Sequence, residues 1–244
     1  MTAAGCIAPV EEATAFIGAA PDQATLDAWL ARREQGEPPG WIIGTVDFCD
    51  RTYRLDPGVY VPRAQTERLA RLAASMVPEH GTAIDLCTGS GVIAAHILSE
   101  VPSALVVGVD VDERAARCAR RNGVPTIVAD LAAPIADHAV VDVVTAVAPY
   151  VPTGELRFLP ADVQRHEPRR ALDGGGDGLD LVRRVVDAAG RLLRVGGRLV
   201  LEIGGDQDED LSGELTVAGF EVVVSFGDDE GDLRGIVAEL TQRP

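Results

Sequence analysis

A compact apolar run, Thr82–Leu86, ends in the glycine-rich loop Cys87-Thr88-Gly89-Ser90-Gly91, which opens straight into Val92–Glu100, apolar at helical spacing. Few architectures accommodate that order. Gly89-Ser90-Gly91-Val92-Ile93-Ala94 fits G-x-G-x-x-A, in which the glycines let backbone approach a ligand and the helix start offers unpaired N–H groups. Asp110 closes the next apolar run, where a carboxylate can accept two hydrogen bonds from ribose hydroxyls. Strand, loop, helix, strand and acid together outline a nucleotide-type cofactor site on an α/β sheet.

The rest of the chain repeats the alternation. Ala104–Val109, Pro125–Ala129, Val140–Ala146 and Arg198–Ile203 are further short apolar runs bounded by Gly, Pro or Asp, as buried parallel strands require. Asp112–Arg121 and Leu179–Leu193 carry helical spacing between them, with Asp112 and Asp177 as acidic helix starts. Gly219–Phe226 and Leu233–Leu240 are joined only by a turn-rich stretch, which predicts an antiparallel hairpin at the sheet edge. A doubly wound sheet of seven strands closing on a hairpin is the Rossmann-like arrangement of class I methyltransferases. Before it, 10–35 reads as helical, and Thr45–Phe48, Tyr53–Leu55 and Val59–Val61 read as short strands. Thr66 to Met76 reads as a helix leading into the sheet. The Pro38-Pro39-Gly40 break divides the chain into a short helical region (1–39), a β-hairpin linker (40–66) and a cofactor-binding domain (67–244).

Charge narrows the partners. A net charge of −16 opposes a phosphate-tracking surface, because nucleic-acid affinity comes largely from Lys and Arg. No nucleic-acid partner is expected. The four cysteines, Cys6, Cys49, Cys87 and Cys118, lack metal-ligand pairing and read as reduced, packed thiols, so no metal is expected. No stretch reaches the ~18 apolar residues of a bilayer span, and Glu11 and Glu12 interrupt any leader-like run. A cytoplasmic protein without membrane contact is the expectation; oligomeric state is not legible.

Three details separate S-adenosylmethionine (SAM) from NAD. Asp85 lies in the end of the first strand, where a carboxylate can organise the loop and a cationic amino-acid moiety but would repel a pyrophosphate. Asp130, followed by Leu131, ends the third strand, placed for an adenine amino group, as Asp110 with Val111 is for ribose. The fourth strand runs into Ala148-Pro149-Tyr150, a turn at the carboxyl edge where ligands of open α/β sheets bind. SAM is the expected cofactor and S-adenosylhomocysteine its product.

These features are joined by a longer set. Arg32-Arg33, Gly36-Glu37-Pro38, Ile43-Gly44 and Phe48 are followed by Pro57-Gly58-Val59, Pro62-Arg63 and Thr66-Glu67. Glu167-Pro168-Arg169, Ala171-Leu172, Gly175, Asp177-Gly178-Leu179-Asp180 and Leu201-Glu202-Ile203-Gly204 come later. With Asp85 to Gly91, the chain over roughly 30–240 resembles the release-factor glutamine N5-methyltransferases (HemK/PrmC type). The resemblance implies the class I fold and SAM binding, with Arg63 over the cofactor and Cys87, Thr88, Gly89 and Gly91 in its loop. It also implies an acceptor-positioning turn at Val147-Ala148-Pro149-Tyr150, where the family carries Asn-Pro-Pro-Tyr. The helical region before Arg32 is shorter than the family's N-terminal domain, which helps engage the release factor.

The family's turn holds both amide N–H groups of the acceptor, one on the Asn side-chain oxygen and one on the backbone carbonyl that follows. Val147 offers no side-chain acceptor, while the Ala148 carbonyl remains and Tyr150 still offers a face for a planar group. An unpaired N–H costs about 1–3 kcal/mol, and a lost transition-state contact costs ~10²–10³ in rate. The leading expectation is therefore a small-molecule or peptide acceptor that is not a primary amide. A glutamine methyltransferase of reduced activity and a silent SAM-binding protein stand as alternatives. His166 is a candidate general base or a loop histidine with local contacts, and Arg63 a cofactor contact or a partner of Glu67 one turn on.

Overall fold

The structure is a computed structural model that describes residues 9–135, 140–228 and 231–243. Helices α1 (Pro9–Ala19), α2 (Gln23–Glu34) and α3 (Pro39–Ile43) precede a separate antiparallel hairpin, β1 (Thr45–Phe48) with β2 (Arg51–Arg54). The main body runs α4 (Thr66–Met76), β3 (Thr82–Leu86), α5 (Val92–Glu100), β4 (Leu105–Asp110), α6 (Glu113–Arg121), β5 (Thr126–Val128) and β6 (Val141–Ala146). It continues through α7 (Ala161–His166), α8 (Asp180–Leu192), β7 (Leu193–Glu202), α9 (Gln207–Val217), β8 (Phe220–Gly227) and β9 (Leu233–Leu240).

The seven main strands lie in the order β5-β4-β3-β6-β7-β9-β8. β3 pairs in parallel with both β4 and β6, and the edge closes antiparallel through β7, β9 and β8. Successive residues on the central strands face opposite sides, and both sides are covered. Val144 and Leu199 pack with Val182 and Leu211 on one face, while Val143 and Val200 pack with Leu69 and Ile97 on the other. That is why these strands read as unbroken apolar runs rather than alternating ones. The chain leaves β3 toward β4 on one side and returns as β6 on the other, so a crevice opens at the carboxyl ends of β3 and β6.

The sequence expectations hold for this sheet and its hairpin, and differ before and after it. The helical stretch divides at Pro21, and Asp22 caps α2 by accepting the Thr25 N–H at 2.8 Å. No strand forms at 59–61: the Val61 N–H donates to the Glu167 carboxylate at 3.2 Å, and Pro62 has no N–H for a ladder. The acidic run 206–210 opens α9: Asp208, Glu209 and Asp210 fill its first turn, and Leu211 and Leu215 are buried. Acids there complement the helix dipole. Cys6 and His138 lie outside the described residues, and Cys49, Cys87 and Cys118 are free thiols.

One glycine fixes where α5 begins. Gly91 has φ +81°, and a Cβ there would sit 2.8 Å from the Ala119 Cβ on α6. Left-handed backbone costs a side chain ~1–2 kcal/mol, and overpacking adds ~1–3 kcal/mol. Gly91→Ala should therefore lose roughly 2–5 kcal/mol in urea unfolding. A loss below about 1 kcal/mol would show that α6 yields freely there.

Candidate active site

The loop after β3 is held from behind. Asp85 is 1% exposed, and its two carboxylate oxygens accept the Thr88 hydroxyl at 2.6 Å and the Thr145 hydroxyl of β6 at 2.7 Å. The side chain thus ties the loop to the neighbouring strand and does not stand in the wall of the crevice. Burial raises its pKa to about 6, against the lowering effect of the two hydroxyls. The folded chain therefore holds a proton on Asp85 between pH ~4 and ~6 that an unfolded aspartate releases. This contribution is complete below the ordinary carboxylate pKa and disappears as pH rises through about 6. Asp85→Asn keeps the shape without that titration. Its stability relative to the parent should rise by about 2 kcal/mol between pH 4.5 and 7. Urea curves at the two pH values that differ by a constant offset would contradict the assignment.

Asp110, the last residue of β4, is part of the crevice wall. Its Oδ2 accepts the Gly89 N–H at 2.9 Å and its Oδ1 the Asp112 N–H at 2.8 Å, so the loop and the start of α6 are bound to one carboxylate. Burial raises its pKa, and those backbone bonds oppose the shift. Cys87, Thr88, Gly89, Ser90 and Val111 line the same cavity, which continues past Tyr60 and Thr66 to Val147 and Pro149. Cys87 holds φ +57°, and burial pushes its thiol far up, so it is an uncharged wall rather than a nucleophile.

A second cavity lies against the turn after β6, lined by Tyr60, Arg63, Ala148, Tyr150, Leu159 and Val163 among others. Tyr60, Val147, Pro149 and Ala171 belong to both walls, so the two cavities meet at the altered turn. Arg63 stands in this second wall, not over the first cavity. Its guanidinium pairs with the buried Glu167 at 2.5 Å and lies 4.9 Å from the Tyr60 ring centre. The expected partner Glu67 pairs instead with Arg71 at 3.0 Å, because α4 places that arginine four residues on. Burial raises the Glu167 carboxyl, and Arg63 and the Val61 N–H counter it.

Three further expected residues stay apart from the cavities. Asp130 pairs with Arg184 of α8 at 2.7 Å, and Leu131, at φ +47°, packs into the core beneath β4 and β6. His166 sits with Nε2 3.4 Å from the Gln35 carbonyl and its ring edge-on to Trp41, a local contact with the N-terminal helices. Sequence reasoning named no role for Tyr60, Gln65, Thr66, Glu167 or Glu202. Glu202 carried a usable signal: like Asp110, it is an acid ending a buried apolar strand.

The first cavity suits SAM on its own features. Ser90 Oγ is buried in the wall without a hydrogen-bond partner among the described residues. A Cβ at Gly89 would meet nothing within 4 Å, so the loop backbone is open to close approach. The wall is mainly apolar and carries two carboxylates, of which Asp112 pairs with Arg170 and Asp110 is left to accept from a ribose diol. Among the described residues no His, Cys, Asp and Glu group could hold a metal, and no helix is long and apolar enough to cross a membrane.

Comparison with known proteins agrees with this geometry. Residues 52–145 match the family described as Methyltransferase small domain. The release factor glutamine methyltransferase of Geobacter sulfurreducens is 37% identical over 78% of this chain and 69% of its own length. That of Mycolicibacterium smegmatis is 34% identical over 92% of this chain and 79% of its own. Among solved structures, a ribosomal protein L11 methylase from Lactobacillus delbrueckii subsp. bulgaricus superposes with a TM-score of 0.56 at 17% identity, over 78% of this chain and 85% of that one. The T. thermophilus 16S rRNA N2 G1207 methyltransferase, solved with AdoMet and guanosine, gives 0.51 at 20% identity, over 82% and 45%. These superpositions establish the class I fold. Together with the glycine loop and the acid on β4, the relatives show that this chain belongs to the release factor glutamine methyltransferase family and is a SAM-dependent methyltransferase.

Proposed function

We propose that the chain methylates the side-chain amide of a glutamine presented by a protein. The observation that carries this reading is the meeting of two cavities at Tyr60, Val147, Pro149 and Ala171. A cofactor in one and a side chain entering the other converge there. The relatives are named for that substrate class, and they lend no support to the non-amide acceptor expected from Val147.

Bound SAM supplies a methyl on a sulfonium, and transfer to nitrogen breaks the C–S bond, leaves the electron pair on sulfur and releases the nitrogen's proton to water. The chain's contribution is placement. Asp110 would accept the ribose hydroxyls, and the loop from Cys87 to Gly91 would hold the amino-acid end. The Ala148 carbonyl, which no described residue's N–H or side chain engages, accepts one amide N–H. Tyr150 and Pro149 hold the amide plane. Val147 fills the place of the second acceptor with an apolar wall, so transfer is slow by the standards of the family.

That same wall supports a second reading, an acceptor that arrives without a second N–H to satisfy. The two readings part on one assay. A purified bacterial release factor is incubated with methyl-labelled SAM and then hydrolysed in acid. Labelled methylamine, released from N-methylated glutamine, is the expected product. Labelled methanol, released from a methyl ester, or label retained on a methylated amine would favour the second reading, and no label at all would remove the first.

A further inference from the structure

The mechanism gives no role to Glu202, a buried acid. Glu202 ends β7 and is 1% exposed. Its Oε2 accepts the Thr66 hydroxyl at 2.6 Å, and its Oε1 accepts the Tyr150 hydroxyl at 3.1 Å. Gln65 adds an amide N–H to the same Tyr150 oxygen at 3.3 Å. Thr66 is in the wall of the cofactor cavity, whereas Gln65 and Tyr150 are in the wall of the acceptor cavity. One carboxylate therefore connects the two walls.

The backbone of the turn has a separate anchor. The Tyr150 carbonyl accepts the Gln207 amide at 3.0 Å, and a Cβ at Gly204 would lie 3.6 Å from the Tyr150 ring. The position of the peptide thus does not depend on Glu202, but the tilt of the ring does. A phenol free to rotate about χ1 sweeps its far end through several ångströms, and misplacement by about 1 Å can cost 10²-fold in rate.

We propose that Glu202 is a positioning residue for methyl transfer: it locks the Tyr150 ring at the tilt that receives the acceptor and, through Thr66, registers that ring against the cofactor. The proposal rests on the two-cavity reading of the site, and it concerns placement rather than contact. Glu202 touches neither the acceptor nor SAM.

The test compares Glu202→Ala, Glu202→Gln, Tyr150→Phe and the Glu202→Ala/Tyr150→Phe double variant on whichever acceptor the parent protein methylates, beginning with a release factor. Glu202→Ala should lower kcat about 30–100-fold while S-adenosylhomocysteine affinity changes less than about 3-fold. Glu202→Gln should recover to within about 5-fold of the parent, since its oxygen accepts from Thr66 and its NH2 donates to the tyrosine. Tyr150→Phe should lose about as much as Glu202→Ala, and the double variant no more than either, as members of one unit behave. Equal losses in kcat and cofactor affinity, or additive losses in the double variant, would overturn the proposal. If Glu202→Ala fails to fold, Tyr150→Phe decides alone: an unchanged kcat sinks the idea. Should the parent transfer nothing to any acceptor, the substrate reading falls, and a crystal structure of Glu202→Ala with S-adenosylhomocysteine takes over. A Tyr150 ring turned off the wall supports the lock, and a ring in place overturns it.

Discussion

Asp110→Ala should weaken SAM and S-adenosylhomocysteine binding at least about 100-fold in calorimetry. Two ribose hydroxyls lose a charged acceptor, and each such bond contributes ~1.5–3 kcal/mol. The same change frees the Gly89 and Asp112 N–H groups, so the loop that cradles the ligand loosens as well. Asp130→Ala is the matched control. That carboxylate pairs with Arg184 outside the cavity wall, and its removal should alter affinity less than about 3-fold. If the Asp130 variant loses the larger share, the ligand lies over β5 rather than β4, and the placement given above is wrong.

Val147→Asn should raise the rate of glutamine methylation by about 10²-fold. Valine and asparagine are of similar size, so the turn can keep its shape while gaining a side-chain oxygen for the second amide N–H. Removing one preorganised transition-state hydrogen bond, such as an oxyanion-hole donor, costs 10²–10³ in rate, and adding one here should return a comparable factor. The measurement is the initial rate on a release factor at saturating SAM, with Tyr150→Phe in the same background as a check that the gained activity uses the same turn. A parent that is inactive on glutamine beside an active Val147→Asn would favour the non-amide acceptor. A parent faster than Val147→Asn would show that the apolar wall suits this chain's amide and that another group accepts the second N–H.

Much of this site was legible because strand ends speak plainly. A buried parallel sheet forces apolar runs, so acids at their carboxyl ends stand out, and Asp85 and Asp110 were found that way. What a sequence does not disclose is the direction a strand-end side chain turns. Asp85, one residue before the end of its strand, is satisfied by Thr88 and Thr145 inside the sheet, whereas Asp110, the last residue of the adjacent strand, opens on the cavity. Asp130 follows the same rule by position and is drawn off by Arg184, which is distant in sequence and close across α8. The pairing of Arg63 with Glu167, and of Glu202 with Tyr150 and Thr66, spans more than fifty residues in each case. Local spacing holds no trace of such contacts. The acidic start of α9 was missed for a different reason, since a helix whose first turn is nearly all acid shows little apolar periodicity until Leu211.

The central claim is that cofactor and acceptor meet at the wall shared by Tyr60, Val147, Pro149 and Ala171. A crystal structure with S-adenosylhomocysteine and a glutamine peptide tests it most directly. The ribose hydroxyls should lie on Asp110, the sulfur should face that shared wall, and the glutamine amide should rest between Tyr150 and the Ala148 carbonyl. A ligand whose sulfur points away from the second cavity, or a peptide bound anywhere else on the chain, would contradict it.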